Sequence, residues 1–132
     1  MAPSTKILFI DDEPDNREIM ELFIKTSLPE ATVLSAGTLP GALELIDCNT
    51  DADLVISDMW LTRPDSAKIA EGNQIARHAL SLEVPISVIV VTATPDAIAD
   101  DVANRVTDVI IKARTQPDAI IAMIRSALDI TS

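Results

Sequence analysis

The stretch Ile7-Leu8-Phe9-Ile10-Asp11-Asp12-Glu13 joins four apolar residues directly to three acidic ones. Its apolar part predicts a buried β-strand over Lys6–Ile10. From Asp15 to Ser27 the apolar period changes to that of a helix, and one side of this helix carries Ile19, Leu22, Phe23 and Thr26. The start of the chain is therefore a strand, an acidic turn and a helix.

The same alternation continues to the end of the chain. Further strands are predicted at Thr32–Ala36, Leu54–Ser57, Ile86–Val91 and Val109–Ile111. Helical apolar faces lie between them, from Leu39 to Ile46, from Ile75 to Leu80, over Asp96–Ala103 after Pro95, and after Pro117. The sequence thus predicts five strand–helix units.

Alternating units with nearly all-apolar central strands favour a doubly wound α/β fold, in which helices cover both faces of a parallel sheet. A closed eight-unit barrel needs about 250 residues, whereas this chain has 132. We therefore expect an open five-stranded sheet of order 2-1-3-4-5. Residues 1–132 are expected to form a single domain.

Composition narrows the classes of function. Ten basic and 21 acidic residues give a net charge of −11, which argues against direct nucleic-acid binding. Every apolar run is far shorter than the roughly 20 residues of a membrane span, and the N-terminus lacks a signal-peptide pattern. A cytoplasmic location is expected. Cys48 is the only cysteine, which excludes an internal disulfide, and we expect a half-buried structural thiol.

The chemically interesting residues follow the predicted strands, because ligands of such sheets bind beyond the carboxyl ends of the strands. Three carboxylates, one hydroxyl and one ammonium are expected at this edge, from Asp11, Asp12, Asp58, Thr92 and Lys112. Clustered carboxylates repel one another unless a cation lies among them, and Mg²⁺ suits such a site. A carboxylate can also attack phosphorus when positive charge neutralises the transferring group.

Four segments carry a family resemblance that spans essentially the whole chain. The sequence resembles response-regulator receiver domains, which are CheY-like and flavodoxin-like in fold, at Ile7–Glu13, Leu54–Met59, Val90–Ala93 and Ile110–Lys112. The resemblance implies that Asp58 is the phosphoacceptor and that Mg²⁺ is held by Asp11, Asp12, Asp58 and the backbone carbonyl of Trp60. It further implies that Thr92 and Lys112 contact the phosphoryl oxygens.

By the same resemblance, a sensor histidine kinase or a histidine phosphotransfer protein of a two-component phosphorelay would phosphorylate Asp58. The output would be a change in binding to a downstream protein, and the chain would not be an enzyme acting on other substrates. Singly, each residue also has an ordinary explanation: an acidic residue or Thr92 could cap a helix, and Lys112 could be a solvated loop charge.

The sequence departs from the family at several positions. Val109 replaces an aromatic residue that is coupled to the threonine in receivers, and Ala113 replaces a proline after Lys112, where a cis bond would cost about 3 kcal/mol. Gly72 stands about six residues later than the resemblance implies, so Thr62–Glu71 is predicted to be an inserted loop. We expect Trp60 to pack at the start of this loop.

Three alternatives remain open at this point. A pseudo-receiver that binds proteins without phosphorylation is favoured by Val109 and Ala113 and opposed by the intact acidic set. An aspartate-nucleophile phosphatase would resemble an Asp-x-Asp motif, which Asp58-Met59-Trp60 lacks. A flavin or dinucleotide carrier would need a Gly-rich phosphate loop, which the glycine positions do not form. His78 lies on a predicted helix away from the strand ends and is expected to be structural or exposed.

Overall fold

The computed structural model of the protein describes residues 5–62, 68–69, 71–111 and 117–128. Within these ranges the strands are β1 (Lys6–Ile10), β2 (Thr32–Ala36), β3 (Leu54–Asp58), β4 (Leu61–Thr62), β5 (Lys68–Ile69), β6 (Ser87–Thr92) and β7 (Asp108–Ile111). Five of them form one parallel sheet of order β2-β1-β3-β6-β7. The predicted order 2-1-3-4-5 is confirmed.

The helices follow the predicted alternation. They are α1 (Pro14–Ser27), α2 (Leu39–Cys48), α3 (Gly72–Leu80), α4 (Asp100–Ala103) and α5 (Pro117–Ala127), with a 3₁₀ turn at Pro95–Ala97. Pro14 and Pro117 stand at the starts of their helices, where a missing N–H costs no hydrogen bond. Within the described ranges, no helix is both long and apolar enough to cross a bilayer.

Both faces of the sheet are covered by helices. Successive residues of a strand point to opposite faces, so each strand contributes to two core clusters. Leu8 and Ile10 of β1 belong to a core cluster that also includes buried residues of α2, α3 and α4. Ile7 and Phe9 belong to a second cluster, which contains Ile24 of α1 and Ile124 of α5. The doubly wound α/β class is therefore confirmed.

The apolar side predicted for α1 is not the side that packs on the sheet. Ile19 and Leu22 are 66% and 69% exposed, whereas Ile24 is fully buried. Met20 and Leu28, four residues to either side of Ile24, pack against the same cluster. The helix thus has two apolar stripes, and the sheet covers only the stripe centred on Ile24. Cys48 is exposed, so the expectation of a half-buried thiol was wrong.

The fourth helix is shorter than predicted. Instead of one helix over Asp96–Ala103, a 3₁₀ turn at Pro95–Ala97 precedes a single turn of α-helix. Asn73 of α3 explains the break, because its side-chain amide donates to Ala97 O at 3.1 Å and its oxygen accepts from Ala99 N at 3.0 Å. These bonds replace helical backbone bonds at the junction.

The predicted inserted loop contains regular structure. β4 and β5 pair antiparallel, with Leu61 opposite Ile69 and Thr62 opposite Lys68. Residues 63–67 and 70 lie outside the described residues. Trp60, just before β4, packs against the first core cluster, in agreement with the packing role expected for it.

Candidate functional site

Two of the predicted acidic residues and the predicted threonine are buried at the carboxyl edge of the sheet. Asp11 directly follows β1, while Asp58 and Thr92 are the last residues of β3 and β6. Their exposed fractions are 6%, 2% and 0%. The parallel register pairs Ile10 with Ser57 and Asp58 with Val91, so these neighbouring strands end at one level.

The three carboxylates that were predicted to meet do so. Asp11, Asp12 and Asp58 each offer a carboxylate oxygen, and these oxygens lie within 4.8 Å of one another. Asp12 is half-buried and the other two are buried. A set of hard oxygen donors at this spacing fits a divalent ion such as Mg²⁺, which binds a few carboxylates and keeps several waters. Burying such a set without a cation would be costly.

The first acidic turn is held by contacts of Asp11. Its Oδ1 accepts from Glu13 N at 2.9 Å, and its backbone carbonyl accepts from Arg17 Nη1 at 2.7 Å. The first bond closes an Asx turn ahead of α1. It is not a helix cap, because Glu13 is the N-cap residue of α1 and its side chain makes no capping hydrogen bond. Arg17 was missed by the sequence analysis. Its guanidinium lies over Gly37, where an added Cβ would come within 2.5 Å of Arg17 Nη1.

The backbone at Gly72 passes close to the backbone of Asp58 and Met59. Its N–H donates to Met59 O at 3.0 Å, and Met59 N–H donates to Val91 O at 2.9 Å. A Cβ at position 72 would stand 2.6 Å from Met59 Cα and 2.7 Å from Asp58 O. The start of α3 thus lies directly against the phosphoacceptor candidate, and only glycine leaves the room.

The Thr92 hydroxyl contacts Thr94. Thr94 N–H donates to Thr92 Oγ1 at 2.9 Å, and the two hydroxyl oxygens lie 3.3 Å apart. The indole Nε1–H of Trp60 donates to Thr94 Oγ1 at 2.9 Å, while the backbone N–H of Trp60 lies 3.3 Å from Asp58 Oδ1. Thr94 was not predicted as a site residue, since its only sequence signal is its position two residues after Thr92.

Lys112 and Ala113 lie outside the described residues, so the predicted lysine contact and the expected trans bond stay predictions. β7 ends at Ile111, which is registered opposite Thr92. Val109, at the position of the missing aromatic residue, packs against the core cluster of α3 and α4.

Beyond the site, α3 is tied to its neighbours by polar pairs. Arg77 donates to both carboxylate oxygens of Asp101 on α4, at 2.8 and 2.9 Å. The hydrogen bond from Arg77 lowers the pKa of Asp101 below its usual value, and the pKa of Arg77 is raised by the same bond. His78 Nε2 lies 2.6 Å from Asp47 Oδ1 of α2, so the single histidine makes a contact between helices, as expected for a structural role.

Neither a protein-family model nor a curated protein matches the chain. Solved structures do match. One is a response regulator receiver domain protein from Clostridium thermocellum, with 21% identity, a TM-score of 0.77, and coverage of 95% of this chain and 94% of that one.

Two further structures are similar over the same length. The response regulator TrrA from Thermotoga maritima, in complex with Mg²⁺–BeF, is 21% identical with a TM-score of 0.75, covering 94% of this chain and 99% of that one. The receiver domain of the PhyR response regulator from Erythrobacter litoralis is 23% identical with a TM-score of 0.74, covering 98% and 93%.

The chain therefore has the fold of response-regulator receiver domains, the CheY-like form of the flavodoxin-like fold.

Proposed function

We propose that this chain is a phosphoacceptor receiver of a two-component or phosphorelay system, in which Asp58 carries the phosphoryl group. The observation that carries the proposal is the convergence of three carboxylate oxygens within 4.8 Å, beside the fully buried Thr92. Such a pocket suits a divalent ion, and one of its carboxylates can then act as a nucleophile.

In the proposed reaction an Asp58 carboxylate oxygen attacks the phosphorus of a phosphohistidine. The new O–P bond forms as the P–N bond breaks, and the imidazole nitrogen keeps the electron pair of that bond. Water later attacks the same phosphorus, which returns Asp58 as a carboxylate and releases inorganic phosphate. The chain's chemistry is thus limited to its own modification.

The other residues have supporting roles in this proposal. Asp11, Asp12, Asp58 and the Trp60 carbonyl would hold Mg²⁺, which supplies positive charge next to the transferring phosphoryl oxygens. The Thr92 hydroxyl donates a hydrogen bond to one of these oxygens, and the Lys112 ammonium pairs with another. Because phosphorylation adds about one net negative charge and several acceptor oxygens at Asp58, it draws both groups toward the pocket.

The proposed phosphodonor is a sensor histidine kinase or a histidine phosphotransfer protein, which places the reaction in the cytoplasm. The exposed stripe of α1 supports a protein donor. Ile19 and Leu22 lie in the second and third turns of a helix that begins two residues after Asp12, and both are about two-thirds exposed. Exposed apolar side chains beside a reactive pocket are typical of a contact surface for a partner.

Labelling with a low-molecular-weight acyl phosphate tests the proposed function without a cognate kinase. We expect phosphate that is labile to acid and to hydroxylamine on the wild-type chain in the presence of Mg²⁺, and none after Mg²⁺ is chelated. Asp58→Asn should abolish the label, since an amide oxygen is a poor nucleophile. Asp53→Asn is the matched control, because Asp53 lies before β3 and its carboxylate accepts from Lys6 N at 2.8 Å.

The rival proposal is a pseudo-receiver that acts as an adaptor without phosphorylation, and Val109 favours it. A wild-type chain that binds Mg²⁺ but takes up no phosphate under these conditions would support the rival. Label that persists in Asp58→Asn would contradict both, because the phosphate would then be on another residue.

A further inference from the structure

Trp60 is attached to the candidate site at two points. Its backbone N–H lies 3.3 Å from Asp58 Oδ1, and its indole N–H donates to Thr94 Oγ1 at 2.9 Å. The ring is half-buried and packs against the core cluster of α2, α3 and α4. The only tryptophan of the chain is therefore held by one polar bond of its indole N–H and by apolar contacts with this core cluster.

Thr94 connects this ring to the buried threonine of the site. The Thr92 hydroxyl accepts from Thr94 N at 2.9 Å and lies 3.3 Å from Thr94 Oγ1. Thr94 is exposed, while Thr92 is fully buried. The three side chains thus form a chain of hydrogen bonds that runs from the pocket to the surface, and a hydroxyl can rotate to serve either neighbour.

If the Thr92 side chain rotates toward a phosphoryl group on Asp58, its oxygen moves away from Thr94, and the two contacts at 2.9 and 3.3 Å both weaken. When Thr92 donates to an oxygen on Asp58, its distance from Thr94 Oγ1 increases, and Thr94 must find a new arrangement. The hydrogen bond from the Trp60 indole N–H to Thr94 Oγ1 then weakens, because hydrogen bonds depend steeply on angle and distance. A change at Asp58 would in this way reach a surface aromatic ring through two threonines.

The geometry points to a relay in which Thr94 passes the movement of Thr92 to Trp60, so that phosphorylation of Asp58 releases the indole ring from its bond. This inference rests on the proposed function and adds the route by which the site changes the protein surface. In it Thr94 is a positioning residue, since it acts on the site only through Thr92.

The structure also indicates where the signal would go. Trp60 is followed directly by Leu61, the first residue of β4, and Leu61 is 1% exposed. A ring that shifts at position 60 therefore moves the start of the β4–β5 hairpin. By contrast, Val109 offers no ring that could rotate toward Thr92. The hairpin after the phosphoacceptor thus becomes the surface that differs between the two states.

Acrylamide quenching of Trp60 fluorescence tests the relay in the full chain with Mg²⁺ and beryllofluoride. We expect beryllofluoride to raise the quenching constant of the wild type, because a released ring is more accessible. Thr94→Val should show raised quenching from the start and lose the beryllofluoride-induced increase. Thr94→Ser, which restores a hydroxyl, should recover it. The control is Thr26→Val, which removes a hydroxyl bond of 2.8 Å on α1 and should behave as the wild type.

A parallel ¹⁹F NMR spectrum of bound beryllofluoride separates failure of the relay from failure of the proposed function. If no bound signal appears in the wild type, the proposed function is contradicted and the relay falls with it. If beryllofluoride binds and Thr94→Val keeps the full wild-type increase, the ring senses the ligand directly and the relay is wrong. Bound ligand with no change in wild-type quenching would also overturn the relay.

Discussion

The carboxyl edge of the sheet and the outer side of α1 invert the usual relation between polarity and burial. At the edge, the carboxylate of Asp58 and the hydroxyl of Thr92 are almost completely shielded from solvent. On α1, two large aliphatic side chains, Ile19 and Leu22, are about two-thirds exposed. Buried polar groups and exposed apolar groups are the informative exceptions in a folded protein. The difference shows that neither feature is explained by packing: the packing of α1 on the sheet is supplied by Ile24, on the other side of the helix from Ile19 and Leu22.

The largest expected effect concerns the buried side of α1. Ile24→Ala removes a fully buried side chain between α1 and the sheet and should lower the free energy of unfolding by about 2–5 kcal/mol. Ile19→Ala removes an exposed one and should change it by no more than about 0.5 kcal/mol. Urea denaturation of both variants measures the contrast. Equal losses would mean that the two stripes of α1 are assigned wrongly.

Gly72 tests how tightly the pocket is built. In Gly72→Ala the new Cβ meets backbone atoms of Asp58 and Met59, which cannot move aside without shifting β3. We expect a loss of about 1–3 kcal/mol in the free energy of unfolding, measured in the same way. Gly41→Ala is the control, because its nearest contact is the Thr38 hydroxyl at 3.0 Å and alanine favours the helix. A cost for Gly72→Ala no greater than that of the control would contradict the close approach.

A smaller effect is expected from the exposed side of α1, and only on phosphotransfer from a protein donor. Leu22→Glu should slow phosphotransfer from a histidine phosphotransfer partner by roughly tenfold, about 1.4 kcal/mol of lost apolar contact. Labelling by an acyl phosphate should stay unchanged. Val84→Glu is the control, since Val84 is 75% exposed and precedes β6 at the opposite edge of the sheet. Equal slowing in both variants would indicate a nonspecific effect of charge.

The smallest effect is expected at the exposed pair of Arg77 and Asp101. The hydrogen bond to Arg77 lowers the pKa of Asp101 in the folded state. Its contribution to stability is therefore present above the unfolded pKa of about 4 and disappears as the pH falls through the folded pKa. Asp101→Asn should be slightly less stable than the wild type at neutral pH and equally stable near pH 2. A difference that grows toward acid would contradict this assignment.

Sequence patterns located the architecture well because the parallel sheet depends on buried β-prone runs. They also predicted that Asp11, Asp12 and Asp58 lie at one edge of the sheet, since the carboxyl ends of parallel strands meet there. They misassigned the packed side of α1, because Met20, Ile24 and Leu28 repeat at helical spacing as well as Ile19 and Leu22 do. Two stripes on one helix look alike until the sheet covers one of them.

The contacts that sequence could not supply are those between distant loops. Thr94 and Trp60 are 34 residues apart, and their bond exists only because β3 and β6 are neighbours. The break before α4 depends in the same way on Asn73, which caps the junction from another helix. The β4–β5 hairpin has only two residues in each strand, too few for an alternating pattern to be seen.

A crystal structure of the full chain with Mg²⁺ and beryllofluoride tests the central claim most directly. The account predicts beryllium bonded to an Asp58 oxygen, with Mg²⁺ at about 2.1 Å from the Asp12 and Asp58 carboxylates and the Trp60 carbonyl. Thr92 and Lys112 should contact the fluorides. Metal bound away from the three carboxylates, or Lys112 turned away from Asp58 with both ligands in place, would contradict it.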